Sequence, residues 1–171
     1  ARKSARRFSG GFGLGASGEA VLRDRPGADL AVLETFEVLR DRQSFGADLA
    51  RAARAGYVLE LSSELCGPRQ PEPAVHDWLD GFLDALEARG ASASRLRAFE
   101  LGLLGRLGMA PALTACVGCG RSDLAGDVVR FDLDRGGITC PACARRGTLV
   151  QPGVRRALAT LAAATLADAE A

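Results

Sequence analysis

Two pairs of closely spaced cysteines constrain this chain more than any other feature. Two residues separate Cys116 from Cys119 and Cys140 from Cys143, and the two pairs lie far apart in the sequence. A two-residue gap lets both thiolates of one turn face the same ion, and two such turns complete a tetrahedral zinc site. The pattern therefore predicts one structural Zn²⁺ ion. Because four protein ligands leave no coordination position open, we do not expect an enzyme.

Other cysteine chemistries use the same residues. A redox-active dithiol or a pair of disulfides is one alternative, and four thiolates also hold iron–sulfur clusters. The chain has five cysteines, however, and secreted disulfide frameworks of small proteins are usually denser and even in number. With no apolar run long enough to span a bilayer, we expect a cytoplasmic protein with no membrane association.

The residues between the cysteine pairs predict a small hairpin. Residues 128–133 (VVRFDL) alternate like a strand, and Gly136 and Gly137 precede a second short apolar run. We interpret residues 114–146 as one zinc-knuckle or zinc-ribbon module whose folding depends on the metal.

The remainder of the body predicts helices, since Ala, Leu and Arg are abundant and only 5% of residues are aromatic. The first predicted helix covers residues 44–65. Its predicted inward stripe comprises Phe45, Leu49, Ala52, Gly56 and Leu59. The second helix ends near Gly90, and the third begins after Ser92 or Ser94. The last covers residues 151–166, with Val154, Leu158 and Leu161 facing inward.

The first forty residues differ from this body. Glycines interrupt residues 10–18, and residues 20–22 and 31–39 favour strands, although residues 30–39 also fit a helix. The first 25 residues carry a net charge of +4, from six basic and two acidic residues, whereas the whole chain carries +1.

A basic cluster with one aromatic neighbour opens this segment. Its members are Arg2, Lys3, Arg6, Arg7 and Phe8. Arginine and lysine attract phosphates through counterion release, and an aromatic ring stacks on a base. We therefore predict that the cluster binds DNA; a frayed, charged terminus without a partner is the alternative.

Cys66 and His76 have simpler interpretations. Cys66 lies at a predicted helix end and is expected to be a small, partly buried apolar residue. His76 is the single histidine and is expected at the surface rather than as a ligand.

Several of these segments resemble the bacterial RecO family. The resemblance rests on residues 96–108 (LRAFELGLLGRLG), then 111–113 (PAL) and 116–120 (CVGCG), in that order. Residues 140–143 (CPAC) and 33–36 (LETF) extend it, so that it covers most of the chain.

The resemblance implies a mainly α fold: a helical domain with an inserted four-cysteine zinc module, preceded by the remnant of an N-terminal OB-fold β-barrel. Residues 1–40 would be the last part of that barrel and residues 41–171 the helical domain. A family member would have further residues before Ala1 that form most of the barrel, so we expect an N-terminal portion to be missing.

The resemblance also implies a function. The expected protein is a nucleoid-associated mediator of repair and recombination. It would bind single- and double-stranded DNA, anneal complementary strands and work with RecR and SSB. Arg95, Arg97 and Arg106 on the third helix would then edge an apolar groove for the acidic C-terminal tail of SSB; a solvated helix face is the alternative. A zinc-ribbon module that binds only proteins, and a thiol-based redox enzyme, remain as other classes.

Overall fold

The structure is a computed structural model that describes residues 8–9, 13–27, 30–90 and 92–169. Its strands are β1 (Phe8–Ser9), β2 (Ser17–Arg23), β3 (Val32–Arg40), β4 (Val129–Asp132), β5 (Gly137–Thr139) and β6 (Thr148–Val150). Its helices are α1 (Leu49–Leu65), α2 (Pro73–Arg89), α3 (Ala93–Arg106) and α4 (Pro152–Ala163), with a short 3₁₀ helix at Gln43–Gly46.

Side-chain caps and turn residues set the helix boundaries. Asp48 accepts hydrogen bonds from the backbone N–H groups of Ala50 and Arg51, which starts α1. Ser92 caps α3 in the same way, as its position in the sequence indicates. Gly90 follows α2 with φ of +78°, a backbone conformation that favours glycine. The three helices predicted before the cysteine pairs are therefore confirmed.

The stripe predicted for the first helix is partly wrong. Because Asp48 starts a new helix, Phe45 lies in the separate 3₁₀ turn, where it is buried. Leu49 is 86% exposed, and the buried face of α1 consists of Ala55, Val58 and Ser62.

The main core lies among α1, α2 and α3. Its buried members are Phe45, Ala55, Val58, Val75, Phe82, Leu83, Leu86, Phe99, Leu103 and Leu166. Phe82 and Phe99 pack with ring centroids 4.8 Å apart, which joins α2 to α3.

The last helix is shorter than predicted. It ends at Ala163, and Leu166 is buried in the main core from a turn beyond that end. Val154 is 52% exposed, contrary to the prediction, whereas the neighbouring Arg155 is buried.

The first three strands form a sheet in the order β1–β3–β2. β2 is antiparallel to β3, and β1 is parallel to it, with Phe8 opposite Phe36. The strand interpretation of residues 31–39 is confirmed.

A second sheet, in the order β5–β4–β6, forms the cysteine-bearing part of the chain. The predicted hairpin is β4 and β5. β6 was not predicted, and it extends this sheet to Val150, beyond the boundary at residue 146. A separate small core lies beneath it, comprising Leu113, Cys116, Leu124, Val129, Ile138, Cys140 and Val150.

Within the described residues, no helix has the length and apolar character needed to cross a membrane.

Candidate metal centre

The structure brings the four predicted ligands together. The sulfur atoms of Cys116, Cys119, Cys140 and Cys143 all lie within 4.8 Å of one another. The Sγ atoms of Cys119 and Cys140 are 3.9 Å apart. A tetrahedral ion with metal–sulfur bonds of about 2.3 Å requires sulfur atoms roughly 3.8 Å apart, so the cluster has the dimensions of a four-thiolate metal site.

The second sheet positions the two cysteine turns against each other. Cys140 directly follows β5, and the backbone N–H of Val117 donates to the carbonyl of Ile138 over 2.9 Å. This bond ties the first turn to the strand that leads into the second. Gly118 leaves the space that the approach needs, since a Cβ atom there would lie 2.9 Å from Cβ of Cys143.

Backbone donors favour the thiolate of Cys116. Burial alone would raise the pKa of this thiol, but N–H groups of Cys140, Cys119 and Gly118 donate to the sulfur and lower the pKa to about 6. The donors at Cys140 and Gly118 each lie 3.3 Å from it. The fold is thus prepared for a negative charge at this position.

The pKa of Cys143 indicates what a bound cation would change in the cluster. Hydrogen bonds with Cys119 and Cys140 stabilise its protonated thiol and raise its pKa to about 12. Several thiolates this close repel one another. A bound divalent cation would remove that repulsion and let all four sulfurs lose their protons, so metal uptake would release protons.

Arg155 on α4 anchors this module, and the sequence analysis missed it. Its guanidinium is buried and donates to the carbonyl of Leu124 over 3.0 Å and to that of Leu113 over 3.4 Å. Both carbonyls belong to the segment around the first cysteine turn. An arginine on an amphipathic helix usually indicates a solvated face, so no local signal identifies this contact.

Of the three arginines predicted to edge a groove, Arg95 is in the wrong environment. It is 1% exposed and donates to the carbonyls of Leu166 and Gly90, so it braces the interior instead of lining a surface. Arg106 lies 3.7 Å above the centre of the Trp78 ring on α2. Arg95 and Arg106 therefore both face α2.

Arg97 belongs to the opposite face of α3 by its position in the helix. Leu101 and Leu104, on that same face, line an apolar cavity of about 260 Å³. The cavity is lined by Leu101, Leu104, Pro111, Leu113, Phe131, Val150 and Leu158. Residues 97, 101 and 104 are spaced by four and three, which places them on one helix face. Arg97 forms an ion pair of 2.6 Å with Glu100, which also accepts a hydrogen bond from Tyr57.

The predicted DNA-binding cluster is largely outside the described residues. Arg2, Lys3, Arg6 and Arg7 all lie there, and Phe8 is described only as the first residue of β1. The cluster therefore precedes the strand that pairs with β3, and its role stays a prediction.

Cys66 and His76 behave as expected. Cys66 is partly buried against the main core, and the side chain of His76 is 69% exposed.

Comparison with known proteins extends over the whole chain. A family model described as "Recombination protein O C terminal" matches residues 46–171. A protein named "DNA repair protein RecO" from Anaeromyxobacter sp. (strain Fw109-5) is 42% identical over 175 residues, covering 100% of this chain and 68% of its own length.

Two further proteins with that name give similar results. The one from Anaeromyxobacter sp. (strain K) is 42% identical and aligns with 98% of this chain and 62% of its own length. The one from Myxococcus xanthus (strain DK1622) is 32% identical and aligns with 85% of this chain and 59% of its own length. The chain thus spans 59–68% of the length of these relatives. The chain belongs to the RecO family.

Proposed function

We propose that this chain is a non-enzymatic DNA-binding protein of repair and recombination, and that its four cysteines hold one structural zinc ion. The family match carries the repair role, since the similar proteins are named DNA repair proteins. Because the chain spans 62–68% of the first relatives, the activity of a whole RecO protein is part of the proposal.

The donor set supports zinc over magnesium or calcium. Four thiolates in a tetrahedral cluster are typical of structural zinc sites, whereas magnesium and calcium prefer oxygen ligands. The ion would be held by Cys116, Cys119, Cys140 and Cys143, and no ligand position would remain for water or substrate. Its contribution would be to the folding of the module, since the core beneath the second sheet is small.

A barrel remnant is the second part of the proposal. The sheet of residues 8–40 combines a parallel and an antiparallel strand pair, which is compatible with the last strands of a five-stranded Greek-key barrel. We propose that residues 1–40 belong to this OB-fold barrel and residues 41–171 to the helical domain.

The basic cluster at residues 2–7 would supply the phosphate contacts. It carries four positive charges immediately before β1, and Phe8 would offer a ring for base stacking. Such contacts suit both single- and double-stranded DNA because they do not read sequence. Strand annealing and cooperation with RecR belong to the same proposal.

A titration of fluorescein-labelled single-stranded DNA, followed by anisotropy, tests this part. Exchanging Arg6→Glu and Arg7→Glu should weaken binding and reduce its salt dependence. Each lost phosphate contact reduces the slope of log K against log salt by about 0.7, so two contacts account for about 1.4. Arg89→Glu with Arg156→Glu is the control, because it makes the same change in charge at exposed positions on α2 and α4.

The outcomes separate the proposal from its main alternative. If both double variants weaken DNA binding equally, the loss is due to the change in net charge and not to the basic cluster. No measurable affinity for DNA, with retained capture of RecR, would favour a zinc-ribbon module that binds only proteins. Thiol turnover with a dithiol substrate would favour the redox enzyme instead.

The cavity beside Arg97 supports a second contact, with the acidic and apolar C-terminal tail of SSB. All seven lining residues are apolar. Arg97 lies on the same helix face, where an acidic group of the tail would replace Glu100 as its partner. A labelled peptide with the sequence of that tail should bind the wild type, and Arg97→Glu should weaken it about tenfold. Arg89→Glu should leave binding unchanged; an equal loss in both variants would contradict this assignment.

A further inference from the structure

The four sulfur ligands differ strongly in their access to solvent. Cys116 and Cys140 are 2% and 1% exposed, Cys143 is intermediate, and Cys119 is exposed. A dissolved oxidant must reach a sulfur atom before it can react, so the more exposed cysteines of a site react first. Cys119 is therefore the most exposed of the four cysteines and the one that a dissolved oxidant reaches most easily.

Hydrogen bonding to sulfur distinguishes Cys116 from Cys119, as exposure does. The sulfur of Cys116 accepts N–H groups of Gly118 and Cys140, each over 3.3 Å. These donors draw electron density from the lone pairs that would attack an oxidant. The sulfur of Cys116 is thus both buried and hydrogen-bonded, so Cys119 is the more reactive cysteine of the first pair.

A resolving thiol lies next to Cys119. Its Sγ atom is 3.9 Å from Sγ of Cys140, and a disulfide bond is about 2.05 Å long. The two sulfurs must therefore approach by about 1.9 Å. Cys119 lies in an exposed turn, whereas Cys140 directly follows β5, so the movement would fall mainly on the Cys119 turn.

We propose that Cys119 is a peroxide-reactive site, that Cys140 resolves it as a disulfide, and that zinc is released from the module. This inference rests on the zinc site proposed above. It assigns a modification site to one particular cysteine of the four.

The reaction consumes one hydroperoxide for each disulfide. The thiolate of Cys119 attacks one peroxide oxygen; a sulfur–oxygen bond forms, the oxygen–oxygen bond breaks, and hydroxide leaves. The thiolate of Cys140 then attacks the sulfur of Cys119, the disulfide forms, and a second hydroxide leaves. With hydrogen peroxide, two protons from solvent convert both hydroxides to water, so two thiolates are oxidised and one peroxide is reduced by two electrons.

Loss of Cys119 and Cys140 as zinc ligands would destabilise more than the metal site itself. Cys116 and Cys140 belong to the small core of the module. The same core contains Leu113 and Val150, which also line the apolar cavity beside α3. Oxidation would therefore alter the wall of that cavity as well as the cysteine turns.

Peroxide treatment of the zinc-loaded full chain tests the inference. Zinc release is followed with a chromogenic chelator, sulfenic acid is trapped with dimedone, and disulfides are mapped by mass spectrometry. We expect the first dimedone adduct on Cys119, then a Cys119–Cys140 disulfide, release of one zinc per chain, and recovery with dithiothreitol and Zn²⁺. A first adduct on another cysteine, or a disulfide that omits Cys119, would overturn the inference.

Two variants sharpen the result. Cys119→His keeps a zinc ligand but removes the exposed thiolate, so peroxide-driven release should slow about tenfold. Cys66→Ser removes the remaining cysteine and should change nothing. An equal release rate in Cys119→His and the wild type would contradict the inference; if Cys119→His fails to hold zinc, the adduct map of the wild type still decides.

Failure of the two proposals can be told apart. A chain that purifies without zinc would contradict the zinc site and this inference together. A zinc-loaded chain that keeps its metal under peroxide, or loses it without an adduct on Cys119, would overturn the inference alone.

Discussion

Nη2 of Arg42 donates to Oδ1 of Asp80 over 2.7 Å and so fixes the segment after β3 against α2. The guanidinium is almost fully buried, and it also donates to Asp84 and to the carbonyl of Gly15. Ser17 on β2 donates to the same carboxylate of Asp80. One buried cation therefore connects the segment that leads into β2 to α2.

Removing this carboxylate should destabilise the protein. Asp80→Ala removes one of the two carboxylates that pair with the buried Arg42. Breaking a buried pair completely typically costs about 3 kcal/mol of unfolding free energy or more, so a loss of up to about that size is expected while Asp84 remains. Urea denaturation measures the change. Asp77→Ala on the exposed side of α2 is the control and should have little effect; equal effects would mean that the Arg42 contact contributes nothing specific.

The same pair should give the protein an acid-sensitive component of stability. Burial would raise the pKa of Asp80, but hydrogen bonds from Ser17 and Arg42 and the nearby positive charges of Arg42 and Arg40 lower it. Since the folded state favours the ionised form, this stabilisation is complete above the ordinary carboxyl pKa of about 3.9 and is lost as pH falls through the lowered value. The stability difference between wild type and Asp80→Asn should therefore shrink below about pH 4; a difference that does not change with pH would contradict the assignment.

Two glycines on α3 provide a matched pair of substitutions. A Cβ atom at Gly102 would lie 2.4 Å from Cζ2 of Trp78, whereas one at Gly105 would meet nothing within 4 Å. We expect Gly102→Ala to lower the unfolding free energy by about 1–3 kcal/mol through overpacking. Gly105→Ala should raise it by roughly 0.5–1 kcal/mol because alanine favours the helix. Thermal denaturation of both variants checks the prediction, and equal shifts would show that the Trp78 packing is not as described.

Arg155 should be needed to hold the cysteine module against α4. Arg155→Met keeps much of the apolar stem but removes the guanidinium donor from the carbonyls of Leu113 and Leu124, at a cost of about 1–3 kcal/mol, although the Leu124 carbonyl keeps the N–H of Asp127. Limited proteolysis should then cut the segment around residues 121–128 faster. Arg156→Met on the exposed side of the helix is the control; a matching increase there would assign the effect to helix charge instead.

Removing the metal should unfold the module before the helices. Chelation, or Cys140→Ser, deprives the small second core of its metal crosslink, so protease sensitivity of residues 114–150 should rise and the melting temperature should fall. The helical circular dichroism of α1 to α3 should persist, because their core contains none of the four candidate ligands. Unchanged melting after complete metal removal would refute a structural role.

The features predicted correctly are those determined by neighbours in sequence. The spacing of Cys116 and Cys119 brings two ligands into one turn, and Ser92 caps the helix that directly follows it. Hydrophobic periodicity identified the four helices because each buries one face, even where the exact stripe was wrong at Leu49 and Val154.

The features that were missed depend on distant parts of the chain. The burial of Arg42, Arg95 and Arg155 follows from carboxylates or carbonyls far away in sequence, and an isolated arginine carries no sign of such a partner. β6 is only three residues long, and it is defined by its pairing with β4 rather than by its own pattern. The cavity beside Arg97 likewise arises where α3, α4 and the second sheet meet.

X-ray absorption at the zinc K-edge of the purified chain tests the central claim most directly. A site built from Cys116, Cys119, Cys140 and Cys143 predicts one zinc per chain with four sulfur neighbours at about 2.3 Å and no nitrogen or oxygen neighbour. A first shell containing nitrogen or oxygen, or a folded chain that carries no zinc, would contradict it.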